Sequence, residues 1–410
     1  MTRLGMGGFG TGLIALALGC RSPTPPPPGP AALATFPWDS VVALARGSHV
    51  TWRMWRGDPA INAYIDQWVA PRLQSRYGIT LTAVPGLGAE IVNQLVVERE
   101  TGAPGSTDLL WINGATFHQL RAESLLAGPW AGALPNGRFV DSTSPIIARD
   151  FEQDPAGYES PWGRVQFTLI YDTVRTPHPP QTVAALGEWI RTHPGRFTHD
   201  QEFTGTTFLT TLMYALGGGA KHFQGRFDPV RYAAGSAAVF DWLGSHRGAF
   251  WRRGTTYPLG VADLHRLFAN GEVDFTMSAN ENEVIGKIRD GILPPSARPL
   301  LLRDGTIATA HYVGIPFNAP SPAAAMVVAD FLLSPEAQFE KGNTDGWGDG
   351  SVLALNRLPP GWGDRWVSRA RDPRALDPAA LARLARPEVD PAYHAHLEAD
   401  WRDRLRRGAE

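Results

Sequence analysis

From about residue 48 onward, the apolar positions of the chain switch between two periods. Val50–Trp55, VTWRMW, has the alternating character of a half-buried strand. Asp58-Pro59 follows, an N-cap with proline at the first helical position. Ile61, Tyr64, Ile65, Trp68 and Val69 then recur at helical spacing, which predicts an amphipathic helix bent near Pro71 and ended by Gly78. Ile79–Val84 reads as a second strand and Ala89–Gly102 as a second helix. Asp108–Ile112, DLLWI, reads as a third, apolar strand that runs into Asn113-Gly114.

A second series of the same kind begins at Val165–Asp172, VQFTLIYD. In Glu202–Gly218 the pattern predicts a helix capped by Thr204, whose first turn Gly205-Thr206-Thr207 presents free backbone N–H groups. Asp274–Gly291 repeats the design as a short strand, then Asn280, then a helix. Thr306–Pro316 reads as a strand returning to the first series. Helices follow, with Val327/Phe331 and Val328/Leu332 paired at i,i+4 and Ser334-Pro335 starting the second of them.

Strands alternating with helices imply βαβ units, an α/β fold and a mainly parallel sheet. Open sheets of that kind bind ligands beyond the carboxyl ends of their strands. The segments Trp55-Arg56-Gly57-Asp58 and Asn113-Gly114 then occupy equivalent places on one rim.

Composition narrows the class. The 410 residues exceed one compact core and suggest two or three domains. A net charge of −2 gives no basic surplus for nucleic acid. The single cysteine, Cys20, closes a start with Arg3, a short apolar run and Gly19, the layout of a bacterial secretory signal of lipoprotein type. The run is too short to span a bilayer. Residues 1–20 are therefore expected to be a signal with Cys20 lipidated, and 21–47 a stiff proline-rich spacer without a core of its own.

Catalytic signatures are lacking. Gly5–Gly10 fits G-x-G-x-x-G but follows no strand, and no P-loop, G-x-S-x-G, H-E-x-x-H or paired-cysteine motif occurs. His394 and His396 have weak metal spacing and read as surface residues, so no metal and no cofactor is expected. What clusters at strand ends is aromatic, amide and acidic. The candidates are Trp55, Arg56, Asp58, Trp111, Asn113, Glu159, Trp162, Thr204, Gly205, Thr206, Asn280, Glu281, Tyr312 and Trp347. Each tryptophan also reads as core, and Asp58 and Thr204 as helix caps. Ring faces with Asp58, Glu159 and Glu281 favour a cation, whereas Arg56 and the Gly205 amide suit an anionic group.

The motifs DLLWING, ESPWG, FTGTTFL, VVADFLLSPEAQ and WGDGSVL, in that order, resemble an ABC-transporter solute-binding protein of the type II periplasmic class, YnjB-type subgroup. The resemblance spans roughly Val50 to Leu358. It implies two lobes joined by a hinge, 48–164 plus 313–410 and 165–312, with a solvent-filled gap between Asn113 on one side and Thr204 and Asn280 on the other. It further implies a periplasmic or surface monomer, tethered to the membrane through Cys20, that delivers a small polar or cationic solute to a permease and its ATPase. The alternative is an exported carbohydrate-active enzyme, which needs two carboxylates facing each other across the cleft.

Overall fold

The computed structural model describes residues 1–2 and 28–407, so the signal segment and Cys20 lie outside the described residues. Two sheets organise the chain. The first contains β1 (His49–Met54), β2 (Thr80–Pro85), β3 (Leu109–Ile112), β4 (Glu159–Gln166) and β8 (Thr306–Gly314) in the order β2-β1-β3-β8-β4. A short strand, β9 (Ala385–Arg386), adds to β8. The second contains β5 (Thr168–Asp172), β6 (Phe275–Ser278) and β7 (Ala297–Leu300) in the order β6-β5-β7.

β1 pairs in parallel with β2 and β3, as the βαβ pattern requires. Elsewhere the expectation of a mainly parallel arrangement is corrected. β8 runs antiparallel to both β3 and β4, and every pair in the second sheet is antiparallel. Periodicity fixes that a strand follows a helix, but not the direction in which it returns after a long helical excursion.

Buried side chains form two large cores and a smaller one. Val50, Trp52, Met54, Ile65 and the helix Pro322–Leu332 belong to the first, and all eleven residues of that helix are buried. Phe167, Leu169, Phe208, Leu212, Phe275 and Met277 belong to the second. The third packs Ile91, Leu95, Phe117 and Leu120 under β3. β4 and β8 run from one large core to the other: Ile307 lies in the second, Val313 and Ile315 in the first. This antiparallel pair is the hinge of a two-lobed mixed α/β fold.

Two segments sit elsewhere than expected. Residues of the supposed spacer form helices Pro30–Leu33 and Trp38–Ala45, and Leu33, Val41 and Ala45 are buried in the first core. Val41 and Ala45 stand four residues apart, a helical spacing obscured by the neighbouring prolines. The C-terminal helix Pro391–Arg407, expected in lobe one, packs Tyr393, Leu397 and Trp401 into the second core, with Val389 just ahead of it. The chain thus crosses between the lobes a third time.

Local signals fared better. Asp58 caps its helix by accepting from the amides of Ala60 (2.7 Å) and Ile61 (3.3 Å). The irregularity expected near Pro71 is a π turn at Tyr64–Val69, just ahead of the residue whose ring displaces the carbonyl four positions back. Gly78 ends the helix in the left-handed region, at φ 68°. ESPWG is the start of β4, irregular in register between Pro161 and Gly163.

Candidate functional site

Beyond β1, Trp55 is 41% exposed and its ring folds back over Gly57, where a Cβ would stand 2.6 Å from the indole. Arg56 forms a two-pronged ion pair with Asp66, at 2.5 and 3.1 Å. Asp58 has a second role besides capping: its other oxygen accepts from Lys287 Nζ at 2.6 Å. Lys287 belongs to the helix Glu283–Arg289 of the second lobe, and both side chains are nearly buried. Lys287 also lies 3.5 Å from Glu283, which holds a hydrogen bond from Ser278 and faces His265 at 3.8 Å. Burial alone would raise the Glu283 carboxyl, but His265, Lys287 and Ser278 bring it down to about 2. Nearby, Asn282 Nδ2 donates to the Gly348 carbonyl at 2.8 Å and Arg289 to the Asp345 carbonyl. The lobes therefore touch along this edge.

Beyond β3, Asn113 caps the helix Gly114–Ala122, accepting from the Thr116 amide at 3.4 Å. Gly114 lies against Phe151, so close that a Cβ would fall 2.2 Å from the ring. Phe151 meets His394 (5.9 Å between ring centres), and His394 meets Phe203 (5.9 Å), the first residue of the helix Phe203–Leu216. Between Asn113 and the Thr204 end, then, rings stand where an open gap was expected. His394 itself is buried rather than on the surface, and burial lowers its imidazole to about 4, leaving it neutral.

The start of that second-lobe helix is also internally satisfied. Thr204 is not its cap: Glu202 holds that position, and Asp200 Oδ1 accepts from the amides of Glu202 (2.9 Å) and Gly205 (3.0 Å). Gly205 is required because a Cβ there would lie 1.9 Å from the Asp200 carbonyl oxygen. Thr206 donates to the Glu202 carbonyl at 3.2 Å. After β6, Asn280 Oδ1 accepts from the Asn282 amide (2.9 Å), and buried Glu281 accepts from the Gln166 amide (2.8 Å).

Trp111, Trp162 and Trp347 converge on a partner the protein itself supplies, while Trp55 stays apart from them. Trp162 is fully buried and packs against Trp52, Trp111 and Trp347 at 5.1, 4.9 and 5.2 Å. His311 stacks on Trp347 at 5.7 Å. Lys341 Nζ stands 5.8 and 5.5 Å from the Trp162 and Trp347 rings and is bound to Asp349. His311 also faces Asp349, at 3.2 Å. Burial would raise the Asp349 carboxyl, but His311 and Lys341 hold it below the usual range. Tyr312 is buried too, its hydroxyl donating to the Ile147 (2.9 Å) and Arg149 (3.2 Å) carbonyls.

Glu159 differs from all of these. It is 1% exposed and neither oxygen has a hydrogen-bond partner among the described residues. Burial, with Asp150 beside it, pushes its carboxyl well up. Asp150 and Glu388 are buried as well, their carboxyls pushed up by burial and eased by the backbone amides of Gly114 and Val389. Asp150, Phe151, Lys287, Lys341, Asp349 and Glu388 were missed by sequence reasoning. None carries a local signal: Lys287 meets Asp58 229 residues away, and even Lys341 and Asp349 are eight residues apart.

Among the described residues no group of three or more histidine, cysteine or acidic side chains is placed to hold a metal ion. Nor, among them, is any helix long and apolar enough to cross a membrane.

Comparison with known proteins agrees with this architecture. The sequence model of the bacterial extracellular solute-binding protein family matches residues 68–350. Protein YnjB of Escherichia coli (strain K12) is 37% identical over 371 residues, covering 89% of this chain and 92% of that one. A putative spermidine/putrescine ABC transporter protein from Listeria monocytogenes has the same fold at 16% identity, with a TM-score of 0.58 over 86% of this chain and 98% of that one. The Tp0655 (TpPotD) lipoprotein of Treponema pallidum superposes with a TM-score of 0.62 at 13% identity, covering 87% of this chain and 99% of that one. With two lobes, a paired-strand hinge and these matches, the chain belongs to the bacterial extracellular solute-binding protein family.

Proposed function

We propose that this protein is the extracytoplasmic receptor of an ABC importer and that its solute is a small organic cation. The solute would be taken up between the lobes, with β4 and β8 flexing, and passed to a membrane permease driven by an ATPase. Tethering through a lipid on Cys20, and action as a monomer, belong to the same reading. The match to the solute-binding family favours an importer over a carbohydrate-active enzyme.

One contrast carries the choice of a cation. The groups suited to an anion are already occupied: Arg56 by Asp66, and the Gly205 amide by Asp200. Among the acidic candidates Asp58 is neutralised by Lys287 and Glu281 is bonded to the Gln166 amide, whereas Glu159 has no partner among the described residues. A buried carboxyl without a hydrogen-bond partner is costly, and a cationic solute would relieve that cost. One neighbour of the same fold is named as a putative spermidine/putrescine ABC transporter, which agrees with this choice.

A thermal-shift screen of diamines, polyamines, thiamine, its phosphates and neutral sugars tests the proposal. Amines or thiamine are expected to raise Tm by several degrees. Stabilisation by a neutral sugar alone would reject the cationic solute.

A further inference from the structure

We propose that Phe151 and His394 form a clasp between the lobes, a ring contact that shuts the mouth beside Asn113 while no solute is bound and parts when the lobes open. Its role in uptake rests on the solute-binding reading given above; its existence does not.

The loop that carries Phe151 is held in an unfavourable backbone conformation. Phe151 and Glu152 both lie in the left-handed region, at φ 47° and 61°, where a residue with a side chain is strained. Neighbouring contacts keep them there. Asp150 and Gln153 exchange backbone hydrogen bonds of 3.0 and 2.9 Å, Gln153 Nε2 donates to the Gly114 carbonyl at 3.1 Å, and the Tyr312 hydroxyl holds the Arg149 carbonyl. Strain maintained in this way puts a side chain where a relaxed backbone would not.

What it places is the Phe151 ring. The ring is 2% exposed, yet it belongs to none of the three cores among the described residues. It covers Gly114, at the start of the helix that follows β3, and meets His394 with 66° between the ring planes. Phe203, half-buried and likewise outside the cores, meets the same imidazole at 32°. These rings are buried by one another across the lobe boundary.

The two sides of the contact are anchored to different lobes. The helix Pro391–Arg407, which carries His394, sends Tyr393, Leu397 and Trp401 into the second core. Hydrogen bonds tie the same segment to that lobe: Tyr214 donates to the Pro387 carbonyl (2.8 Å), the Asp228 amide to the Tyr393 hydroxyl (3.0 Å) and Tyr232 to Asp400 (2.5 Å). Toward lobe one the helix turns His394, whose Nε2 has no hydrogen-bond partner among the described residues. A cavity of about 10 Å³, room for one water, remains between Phe151 and Pro387. The contact is therefore apolar and incompletely packed, and it can part without breaking a hydrogen bond. When β4 and β8 flex, His394 and Phe203 leave with the second lobe while Phe151 stays with the first.

The test uses the full chain without solute and compares wild type with Phe151→Ala, His394→Ala and His394→Phe, by hydrogen exchange and small-angle scattering. The alanine changes remove rings that lie outside the cores, so both variants are expected to fold, which their thermal transitions check; each is a complete test alone. The readout is crossed. Phe151→Ala is expected to speed exchange of the Gly205 and Thr206 amides in the second lobe by about tenfold, and His394→Ala that of the Thr116 and Phe117 amides in the first by about the same factor. Both should raise the radius of gyration, whereas His394→Phe, which keeps a ring, should match wild type in both measurements. Acceleration confined to the lobe that carries the substitution would overturn the clasp, as would unchanged exchange in the alanine variants. Loss of protection in His394→Phe as large as in His394→Ala would overturn it too. None of these outcomes touches the choice of solute, which the thermal-shift screen decides separately.

Discussion

Gly163 shows how tightly the hinge is built at the level of one atom. A Cβ there would stand 1.8 Å from His311 Nε2 and 2.2 Å from Asp349 Oδ2. Neither group can retreat freely, since both are buried and Asp349 also holds Lys341. Gly163→Ala is therefore expected to cost about 2–4 kcal/mol in urea unfolding, near the cost of breaking a buried charged network. Glu388 gives a prediction of opposite kind. Its carboxyl is raised to about 8 in the fold, so its favourable contribution is complete below the unfolded value near 4.5 and is lost as pH rises toward 8. In the absence of a bound cation, wild type should lose stability relative to Glu388→Gln by about 1.4 kcal/mol per pH unit across that window. Equal pH profiles for the two proteins would refute the assignment. Glu283 behaves inversely. With its carboxyl held down to about 2, its contribution is present above about 4.5 and disappears as pH falls toward 2.

At the scale of elements, what was legible was local. Asp58-Pro59 announced a helix start and Ser334-Pro335 another, because a cap and its amides lie within three residues of each other. The same logic misplaced the cap of Phe203–Leu216. Thr204 looked suitable, but Asp200 reaches the Gly205 amide from five residues upstream. Asp200→Ala should cost about 1–2 kcal/mol and fray the first turn, measurable as faster amide exchange at Glu202 and Gly205. The contact of Asp58 with Lys287, 229 residues away, had no local signal at all. Their ion pair joins the two lobes at 2.6 Å, with both side chains about one-tenth exposed. Lys287→Met is expected to weaken lobe closure by about 1–3 kcal/mol, which small-angle scattering would read as a larger radius of gyration without solute.

On the scale of the whole molecule, strand and helix periods indicated an α/β chain with a returning strand, and β8 does return from the second core to the first. Strand direction and the seat of the C-terminal helix were not legible, since both depend on packing between distant segments. The aromatic and acidic candidates illustrate the same limit. Composition suggested rings and carboxylates around a cation. The structure gives the rings of Trp162 and Trp347 the protein's own Lys341, and leaves both carboxyl oxygens of Glu159 without a hydrogen-bond partner among the described residues. Capture of a small cation between lobes is the claim on which the functional account stands. Native mass spectrometry of the purified full chain, with the bound molecule released and identified, tests it most directly. The account predicts one small organic cation per chain. A neutral or anionic occupant, or a chain that takes up no organic cation on titration, would contradict it.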